Sequence, residues 1–306
     1  MADGRFAPSP TGPLHVGNLR TALLAWLFAR VDGGRFLVRV EDLDPVASRE
    51  ALVDEHLADL AALGLEHDGE VIRQSDPDVR ARHVEAVEQL AADGALYPCF
   101  CSRREIRDAV RAAHGPLAEG AYPGTCRDLT ASDIAERAAA QPDRRPSLRV
   151  RADGARIEVH DRLHGGRVGL VDDFVVRRGD GVPAYNLAVV VDDAHQGIEE
   201  VVRGDDLLDG TPRQAWLCDR LGLPRPRWAH VPLVLGPDGE RLAKRHGSVT
   251  RAELVADGID AAALLAHLGA SLHLCAPGEG VDAATLLDRF DPDAVPLDPW
   301  VFPPPQ

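Results

Sequence analysis

The chain has 306 residues, 45% of them hydrophobic and 27% charged, which is typical of a folded globular protein and excludes a disordered one. No apolar run reaches the roughly 18 to 20 residues of a membrane-spanning helix, and the N-terminus carries no secretion signal. The net charge of −15 argues against indiscriminate nucleic-acid binding, although a local basic surface could still dock phosphates. Five cysteines, an odd number without the spacing of a disulfide framework, favour reduced thiols. We expect a cytoplasmic monomer with no membrane contact.

The predicted elements of the first part of the chain alternate between strand and helix. Residues 5–7 form a short extended lead-in to a Gly/Pro-rich turn, and residues 19–30 carry the broad apolar stripe of a helix. Residues 35–40 are rich in β-formers and alternate, which predicts a strand. Strand, helix and strand at this spacing indicate a parallel pair joined by a crossover. Two further helices are predicted at 49–67 and 77–96.

Residues 97–183 differ in composition from the segments on either side. They are rich in arginine, contain three cysteines and carry only short β-like runs, which indicates an inserted unit. These runs lie at residues 147–150, 156–160 and 169–176. Beyond the insertion, five consecutive apolar residues at 187–191 predict a buried strand. The later predicted elements are a strand at 198–203, a helix at 212–221, a strand at 231–235 and a mostly helical part from residue 250.

The turn before the first helix has the features of a nucleotide-binding segment. Backbone N–H groups at a helix start, together with the helix dipole, favour a phosphate. Gly17 lets a ring or a phosphate approach the backbone closely, and His15 can donate a hydrogen bond to a phosphate oxygen. By itself, the tetrapeptide from His15 to Asn18 is also typical of an ordinary glycine turn. The acidic segment Glu41–Pro45 follows the second strand, at the sheet edge where open α/β proteins bind ligands.

Lysine occurs once in the chain, at Lys244, and every other basic residue apart from histidine is arginine. Lys244 lies in the segment Arg241–Arg245, directly after a turn at residues 236–239. A lysine ammonium is a compact charge on a flexible stem, so its retention here indicates a need for a mobile point charge. Codon bias that spared one lysine by chance is the alternative interpretation.

These segments resemble, in content and in order, the signature segments of the glutamyl-tRNA synthetases, which are class I aminoacyl-tRNA synthetases. The resemblance is carried by residues 5–22, 39–45, 184–193, 201–208 and 241–245. Arg241 and Ala243 depart from it, since the family customarily has lysine and serine there. The resemblance implies an α/β fold with a Rossmann-like class I catalytic domain. Its implied parts are the two halves of the catalytic domain at 1–96 and 184–249, a zinc-bearing acceptor-type insertion at 97–183, and a short helical C-terminal part at 250–306 without an anticodon-binding domain.

The family activates an amino acid by attack of its carboxylate on the α-phosphate of ATP, which gives an aminoacyl-adenylate and pyrophosphate. The resemblance implies L-glutamate as the amino acid, Mg²⁺ with the ATP, and His15 and Lys244 as catalytic donors around the triphosphate. The residues that it implies for ATP are Pro8, Thr11, Gly12, His15, Gly17, Asn18 and Lys244. The residues that it implies for glutamate are Arg5, Ser9, Glu41, Tyr185 and Arg203.

The chemistry of the implied glutamate residues agrees with that assignment. Arg5 and Arg203 can each bind a carboxylate as a fork, and Glu41 can pair with the ammonium. Tyr185 can supply a hydroxyl and an apolar wall. For each of these residues, the alternative is a structural ion pair or a core tyrosine.

Three cysteines of the insertion form a candidate metal site. Cys99 and Cys101 are a close pair and Cys126 is a distant third thiolate, which suits tetrahedral zinc with one more ligand. His114 could supply that ligand on general grounds. The resemblance instead implies Tyr122, because some short members of the family bind zinc through Cys-x-Cys and Tyr-x₃-Cys. The zinc would be structural, and three unrelated buried thiols are the alternative.

Length and the cysteine pattern resemble the short members of the family, which attach glutamate to the queuosine base at the wobble position of tRNA(Asp). Few residues follow Lys244, too few for the helical part with which a tRNA-charging relative reads the anticodon. We therefore expect a ligase with L-glutamate, ATP and queuosine-carrying tRNA(Asp) as substrates. Three alternatives stay open: a truncated enzyme that charges a tRNA 3′ end, a non-catalytic tRNA-binding paralogue, and a pantothenate-synthetase-like nucleotidyltransferase.

Overall fold

The computed structural model of the chain describes residues 1–102, 104–106, 108, 122–242 and 249–303. The strands of these residues are β1 (Gly4–Phe6), β2 (Phe36–Val40), β3 (Ile72–Arg73), β4 (Leu96–Cys99), β5 (Ser147–Val150), β6 (Arg156–Asp161), β7 (Gly165–Leu170), β8 (Val175–Arg177), β9 (Glu200–Gly204), β10 (Arg227–Val231), β11 (Val234–Leu235) and β12 (Trp300–Val301). Their α-helices are α1 (Val16–Val31), α2 (Glu50–Ala62), α3 (Pro77–Ala92), α4 (Ala131–Ala140), α5 (Tyr185–Gln196), α6 (Thr211–Leu221), α7 (Arg251–Ala256), α8 (Ala261–Ser271) and α9 (Ala283–Asp288). None of the described helices combines the length and the apolarity needed to cross a bilayer.

A mostly parallel sheet of seven strands, in the order β3-β2-β1-β9-β10-β6-β7, forms the centre of the fold. Neighbouring strands from β3 to β6 run parallel, and β7 runs antiparallel to β6. The predicted parallel pair of β1 and β2 with helix α1 as its crossover is confirmed. Because β1 lies between β2 and β9, the C-terminal ends of these three strands meet at one edge of the sheet, where open α/β folds bind ligands.

Helix α1 packs on this sheet and joins it to the C-terminal part of the chain. Leu19, Leu23 and Phe28 are fully buried, and burying a side chain of this size contributes about 1.5 to 3 kcal/mol. The ring of Phe28 contacts that of Phe290 edge-on, with 5.2 Å between the ring centroids. The parallel pair of β11 and β12 makes a second connection to the C-terminal part.

The chain between residues 97 and 183 contributes to two different sheets. Strands β4, β5 and β8 form a separate antiparallel sheet, whereas β6 and β7 extend the edge of the central sheet. The single strand predicted at 169–176 is wrong, because β7 ends at Leu170 and β8 begins at Val175. Strand β7 belongs to the central sheet and β8 to the separate sheet, so the chain passes from one sheet to the other between them. Asp173 lies in this connection, where its carboxylate accepts the Ala152 N–H at 2.9 Å. The division of the chain into the four predicted parts stays a prediction.

The strand predicted at 187–191 is wrong, because these residues lie within helix α5. Residues 187–193 are all buried, and α5 contacts both α3 and α6. A helix buried around most of its circumference loses the amphipathic period that distinguishes it from a buried strand. Gly197 ends α5 with φ of 68°, and this glycine was the available signal for a helix.

Three smaller differences from the predicted elements have local causes. Helices α2 and α3 end earlier than predicted, just before Gly64 and Gly94, whose φ angles of 71° and 67° leave the helical region. The strand predicted at 231–235 is divided at Pro232 into the end of β10 and the start of β11. Proline has no N–H group to donate to a ladder, so it interrupts the strand.

Candidate active site

A cavity of about 500 Å³ opens at the C-terminal edge of β1, β2 and β9. All the residues predicted for glutamate line it, and so do all those predicted for ATP except Lys244, which lies outside the described residues. The predicted residues at its wall are Arg5, Pro8, Ser9, Thr11, Gly12, His15, Gly17, Asn18, Glu41, Tyr185 and Arg203. The fold thus brings the residues predicted for glutamate and those predicted for ATP together in one cavity, and the roles of the individual residues stay predictions.

Contacts from the neighbouring loops hold the segment between β1 and α1. The Glu41 N–H donates to the Pro8 carbonyl at 3.0 Å, and His56 Nε2 donates to the Gly12 carbonyl at 2.8 Å. A Cβ atom at Gly12 would meet no other atom within 4 Å, so this turn borders open space. The backbone here is fixed at both ends and leaves room for a ligand.

The side chain of His15 caps helix α1. The Asn18 N–H donates to His15 Nδ1 at 3.3 Å, and the His15 N–H donates to Asn18 Oδ1 at 3.1 Å, which is a reciprocal capping box. Burial and the charge of Arg241 lower the pKa of His15, which favours the neutral ring. Since Nδ1 accepts, the neutral ring carries its proton on Nε2, the remaining donor. A Cβ atom at Gly17 would lie 3.0 Å from this ring, so glycine makes room for it.

The lysine-bearing segment enters the described structure only at its first residues. Arg241 lines the cavity, and its Nη1 atom forms a salt bridge of 2.7 Å with Asp206 Oδ2 at the cavity rim. Arg241 lies close enough to His15 for its charge to lower the pKa of that ring. Ala243 and Lys244 lie outside the described residues.

Buried arginines and carboxylates form an ion network beside the cavity. Arg5 Nε donates to Asp193 Oδ1 at 3.0 Å, and Nη1 of the fully buried Arg39 donates to the same oxygen at 2.7 Å. Burial alone would raise the pKa of Asp193, but Arg39 and Arg5 outweigh it and lower the pKa. Arg5 therefore lies at the cavity wall with part of its fork already bound to Asp193, and its predicted contact with a ligand carboxylate stays a prediction.

Arg203 carries a charge that its protein contacts do not neutralise. Its guanidinium donates to three neutral acceptors, which are His230 Nε2 at 2.9 Å, Gln214 Oε1 at 2.8 Å and Thr211 Oγ1 at 2.9 Å. It forms no salt bridge with any carboxylate of the described residues. Burial lowers the pKa of Arg203 and the charge of Arg5 adds to this, while Tyr185 and Asp193 oppose it without cancelling it.

Glu41 brings a negative charge to the same cavity. Its Oε1 atom lies 3.4 Å from Arg39 Nη2, but Arg39 makes its shorter salt bridge with Asp193. Burial raises the pKa of Glu41, while Arg39 and Arg5 oppose that rise. A ligand with an ammonium for Glu41 and a carboxylate for Arg203 would satisfy both charges.

Sequence reasoning missed several polar residues of this region. Arg39 and Asp193 lie inside the segments that carried the resemblance, so those segments held the signal. Asp161 and His230 had no signal, because they are 69 residues apart and only the fold brings them into contact.

The three cysteines of the insertion converge on one point. The Sγ atoms of Cys99, Cys101 and Cys126 lie within 4.8 Å of one another. Two thiolates on one tetrahedral zinc are about 3.8 Å apart, given Zn–S bonds of about 2.3 Å, so the cluster is compatible with zinc. The Tyr122 hydroxyl lies 3.4 Å from Cys99 Sγ and 3.6 Å from Cys101 Sγ, and it accepts the Cys126 N–H at 2.8 Å. His114, the alternative ligand, lies outside the described residues.

Comparisons with known proteins agree with the resemblance found in the signature segments. A family described as tRNA synthetases class I (E and Q), catalytic domain, matches residues 2–271. A glutamyl-Q tRNA(Asp) synthetase of Nocardia farcinica is 56% identical over 98% of this chain and 92% of its own. A glutamate–tRNA ligase 1 of Halorhodospira halophila is 41% identical over 98% of this chain and 65% of its own. A crystal structure of a glutamate tRNA ligase from Elizabethkingia meningosepticum in complex with its amino acid matches with a TM-score of 0.84 at 26% identity, over 99% of this chain and 67% of that one.

Proposed function

We propose that the chain, which belongs to the class I tRNA synthetases (E and Q), activates L-glutamate with ATP and transfers it to the queuosine base at the wobble position of tRNA(Asp). The observation that carries the proposal is the single cavity in which Glu41 and Arg203 offer opposite charges beside the segment capped by His15. Support for tRNA(Asp) comes from the relative of that name, which is more similar to this chain than the glutamate–tRNA ligase is. A cytoplasmic location and a monomeric state stay predictions from the sequence.

The first half-reaction is a displacement at phosphorus. A carboxylate oxygen of glutamate bonds to the α-phosphorus of ATP while the bond to the bridging oxygen breaks, and pyrophosphate leaves with that electron pair. Such a step depends mainly on positioning and charge stabilisation. We assign Arg203 to a glutamate carboxylate, Glu41 to the ammonium, and His15 to the triphosphate. The assignment of Lys244 to the leaving phosphates rests on the resemblance alone.

The second half-reaction transfers the acyl group. A nucleophilic group of the queuosine base bonds to the activated carbonyl carbon and releases its proton to solvent, and AMP leaves with the electrons of the broken acyl–phosphate bond. Mg²⁺ bound with ATP would neutralise charge on the triphosphate in the first step.

An exchange assay tests the proposed function. We expect glutamate, alone among the standard amino acids, to support exchange between ATP and pyrophosphate without tRNA. Labelled glutamate should then pass to tRNA(Asp) that contains queuosine and not to a matched unmodified transcript. Exchange that requires tRNA would favour a 3′-end-charging enzyme, and no exchange under any condition would favour a non-catalytic paralogue.

We propose that Cys99, Cys101, Cys126 and Tyr122 hold one structural zinc ion. The Cys126 N–H bonds to the Tyr122 oxygen, and the Arg149 guanidinium lies 3.7 Å from the centroid of the Tyr122 ring. Both contacts favour negative charge on the phenol oxygen, whereas burial and the neighbouring cysteines raise the pKa of Tyr122, so a tyrosinate ligand would depend on the charge of the bound metal. Bound zinc would fasten the end of β4 to the residues around Cys126.

Replacing one cysteine of the cluster should release the metal. In Cys101→Ser we expect zinc content to fall from about one ion per chain to near zero, and the melting temperature to fall with it. Cys218→Ser, which changes a buried cysteine outside the cluster, is the control and should keep its zinc. Elemental analysis and thermal unfolding measure both quantities. A full zinc complement in Cys101→Ser would overturn the assignment of that ligand.

A further inference from the structure

A buried hydrogen-bonded chain runs from Asp161 through His230 to Arg203. Asp161 Oδ2 lies 2.6 Å from His230 Nδ1, and His230 Nε2 lies 2.9 Å from Arg203 Nε. The side chains of Asp161 and His230 are 1% and 0% exposed. The three residues come from β6, β10 and β9, which are adjacent in the central sheet, so the chain of bonds crosses three strands.

The two ends of this chain fix the position of the proton on the ring. Arg203 has only N–H donors, so His230 Nε2 must accept, and Nδ1 must carry the proton that it donates to Asp161. Burial lowers the pKa of His230 although Asp161 opposes this, and the ring is therefore neutral. Asp161 is itself fixed, because its other oxygen accepts the backbone N–H groups of Leu163 and His164 at 3.0 Å.

We propose that Asp161 and His230 are positioning residues that orient the Arg203 fork for a carboxylate of the substrate. The inference rests on the proposed function, because it takes Arg203 as a ligand of glutamate. A neutral acceptor at Arg203 Nε holds the guanidinium plane without neutralising its charge. A carboxylate in direct contact with Arg203 would compete with the carboxylate of the substrate. Here the His230 ring lies between the Asp161 carboxylate and Arg203.

Asp161→Asn tests the proposal with little change in size. The new amide can keep its oxygen on the Leu163 and His164 N–H groups, which turns its NH₂ group toward His230 Nδ1. The same NH₂ group then faces the backbone N–H of His230, which Asp161 Oδ2 accepts at 3.2 Å, so some loss of stability is expected as well. The ring must then accept at Nδ1 and carry its proton on Nε2, where it faces the Arg203 Nε–H. We expect the KM for glutamate in the exchange assay to rise about 10- to 100-fold, and the KM for ATP to change less than about threefold.

A second substitution distinguishes positioning through the ring from an independent effect of Asp161. His230→Gln offers a side-chain acceptor that has no tautomers. In the His230→Gln background we therefore expect Asp161→Asn to change the glutamate KM by less than about threefold. If Asp161→Asn raised the glutamate KM by the same factor in the His230→Gln background as in the wild-type protein, Asp161 would not act through His230, and the proposal would be overturned.

Glu200→Gln is the matched control for loss of a buried carboxylate. Glu200 is fully buried in β9 and forms salt bridges with Arg162 and Arg227, whereas the hydrogen bonds of Arg203 go to His230, Gln214 and Thr211. This variant should lose thermal stability and keep its glutamate KM. If Asp161→Asn fails to fold, His230→Leu and His230→Gln carry the test, and we expect at least about a tenfold higher glutamate KM in the leucine variant.

The wild-type protein separates the two ways in which the inference can fail. Absence of glutamate-dependent exchange would overturn the proposed function and the positioning role with it. Exchange by the wild-type protein, combined with an unchanged glutamate KM in folded Asp161→Asn, would overturn the positioning role alone.

Discussion

Replacing Arg203 by alanine is expected to lower kcat/KM for glutamate by about 10³-fold, which corresponds to about 4 kcal/mol. Among the arginines that line the cavity in the described part of the chain, the substitution removes the buried one that forms no salt bridge, and it leaves the acceptors of Gln214, Thr211 and His230 without their donor. The loss should appear mainly in the KM for glutamate, because ATP is assigned to the other end of the cavity. Exchange kinetics at varied glutamate and ATP concentrations measure both effects.

Arg203→Lys shows whether glutamate binding needs the guanidinium group of Arg203 or only its positive charge. Arg203→Lys keeps a positive charge, but an ammonium cannot reach three acceptors in a plane and still bind a carboxylate. We expect it to recover less than about a tenth of the activity lost in Arg203→Ala. Arg213→Ala is the control, because Arg213 forms a salt bridge with Asp172 and does not line the cavity. A kcat/KM in Arg203→Ala within about tenfold of wild type would remove Arg203 from glutamate binding.

The elements that the sequence predicted well are those with a strong local pattern. Helix α1 follows a proline-rich turn and carries a broad apolar stripe, and β2 is a short β-rich run that is followed by an acidic segment. Helix α5 has no such pattern, since Leu187 to Asp193 are buried by packing against two other helices. The period of a sequence reports burial on one face, so an element buried on nearly all faces is ambiguous until its neighbours are known.

The same distinction separates the predicted residues of the cavity from the missed residues behind it. Arg5, His15 and Glu41 lie in short segments directly after or within β1 and β2, so one contiguous motif identifies them together with their place at the sheet edge. The contact of Asp161 with His230 depends on the register of β6 beside β10, in which Trp228 lies opposite Asp161. No pattern in either strand encodes that register.

His15→Asn is expected to lower kcat for exchange by about 10²- to 10³-fold while preserving the fold. His15 both caps α1 through Nδ1 and retains an Nε2–H donor, so its removal would ordinarily confound stability with catalysis. Asparagine is among the best N-cap residues, and its side-chain oxygen can accept the Asn18 N–H, but it has no counterpart to Nε2–H. The glutamate KM should stay within about threefold of wild type, because glutamate is assigned to the other end of the cavity.

His15→Ala completes the comparison, because it removes the cap as well as the donor. We expect it to lose about 1 kcal/mol of unfolding free energy relative to His15→Asn, with a similar kcat. If His15→Asn kept the wild-type kcat and only His15→Ala lost it, the histidine would serve the helix start alone. The capping box with Asn18 and the space left by Gly17 would then be sufficient reasons for a histidine at this position. Low kcat in both variants, with normal unfolding in His15→Asn, would instead place the Nε2–H donor on the triphosphate.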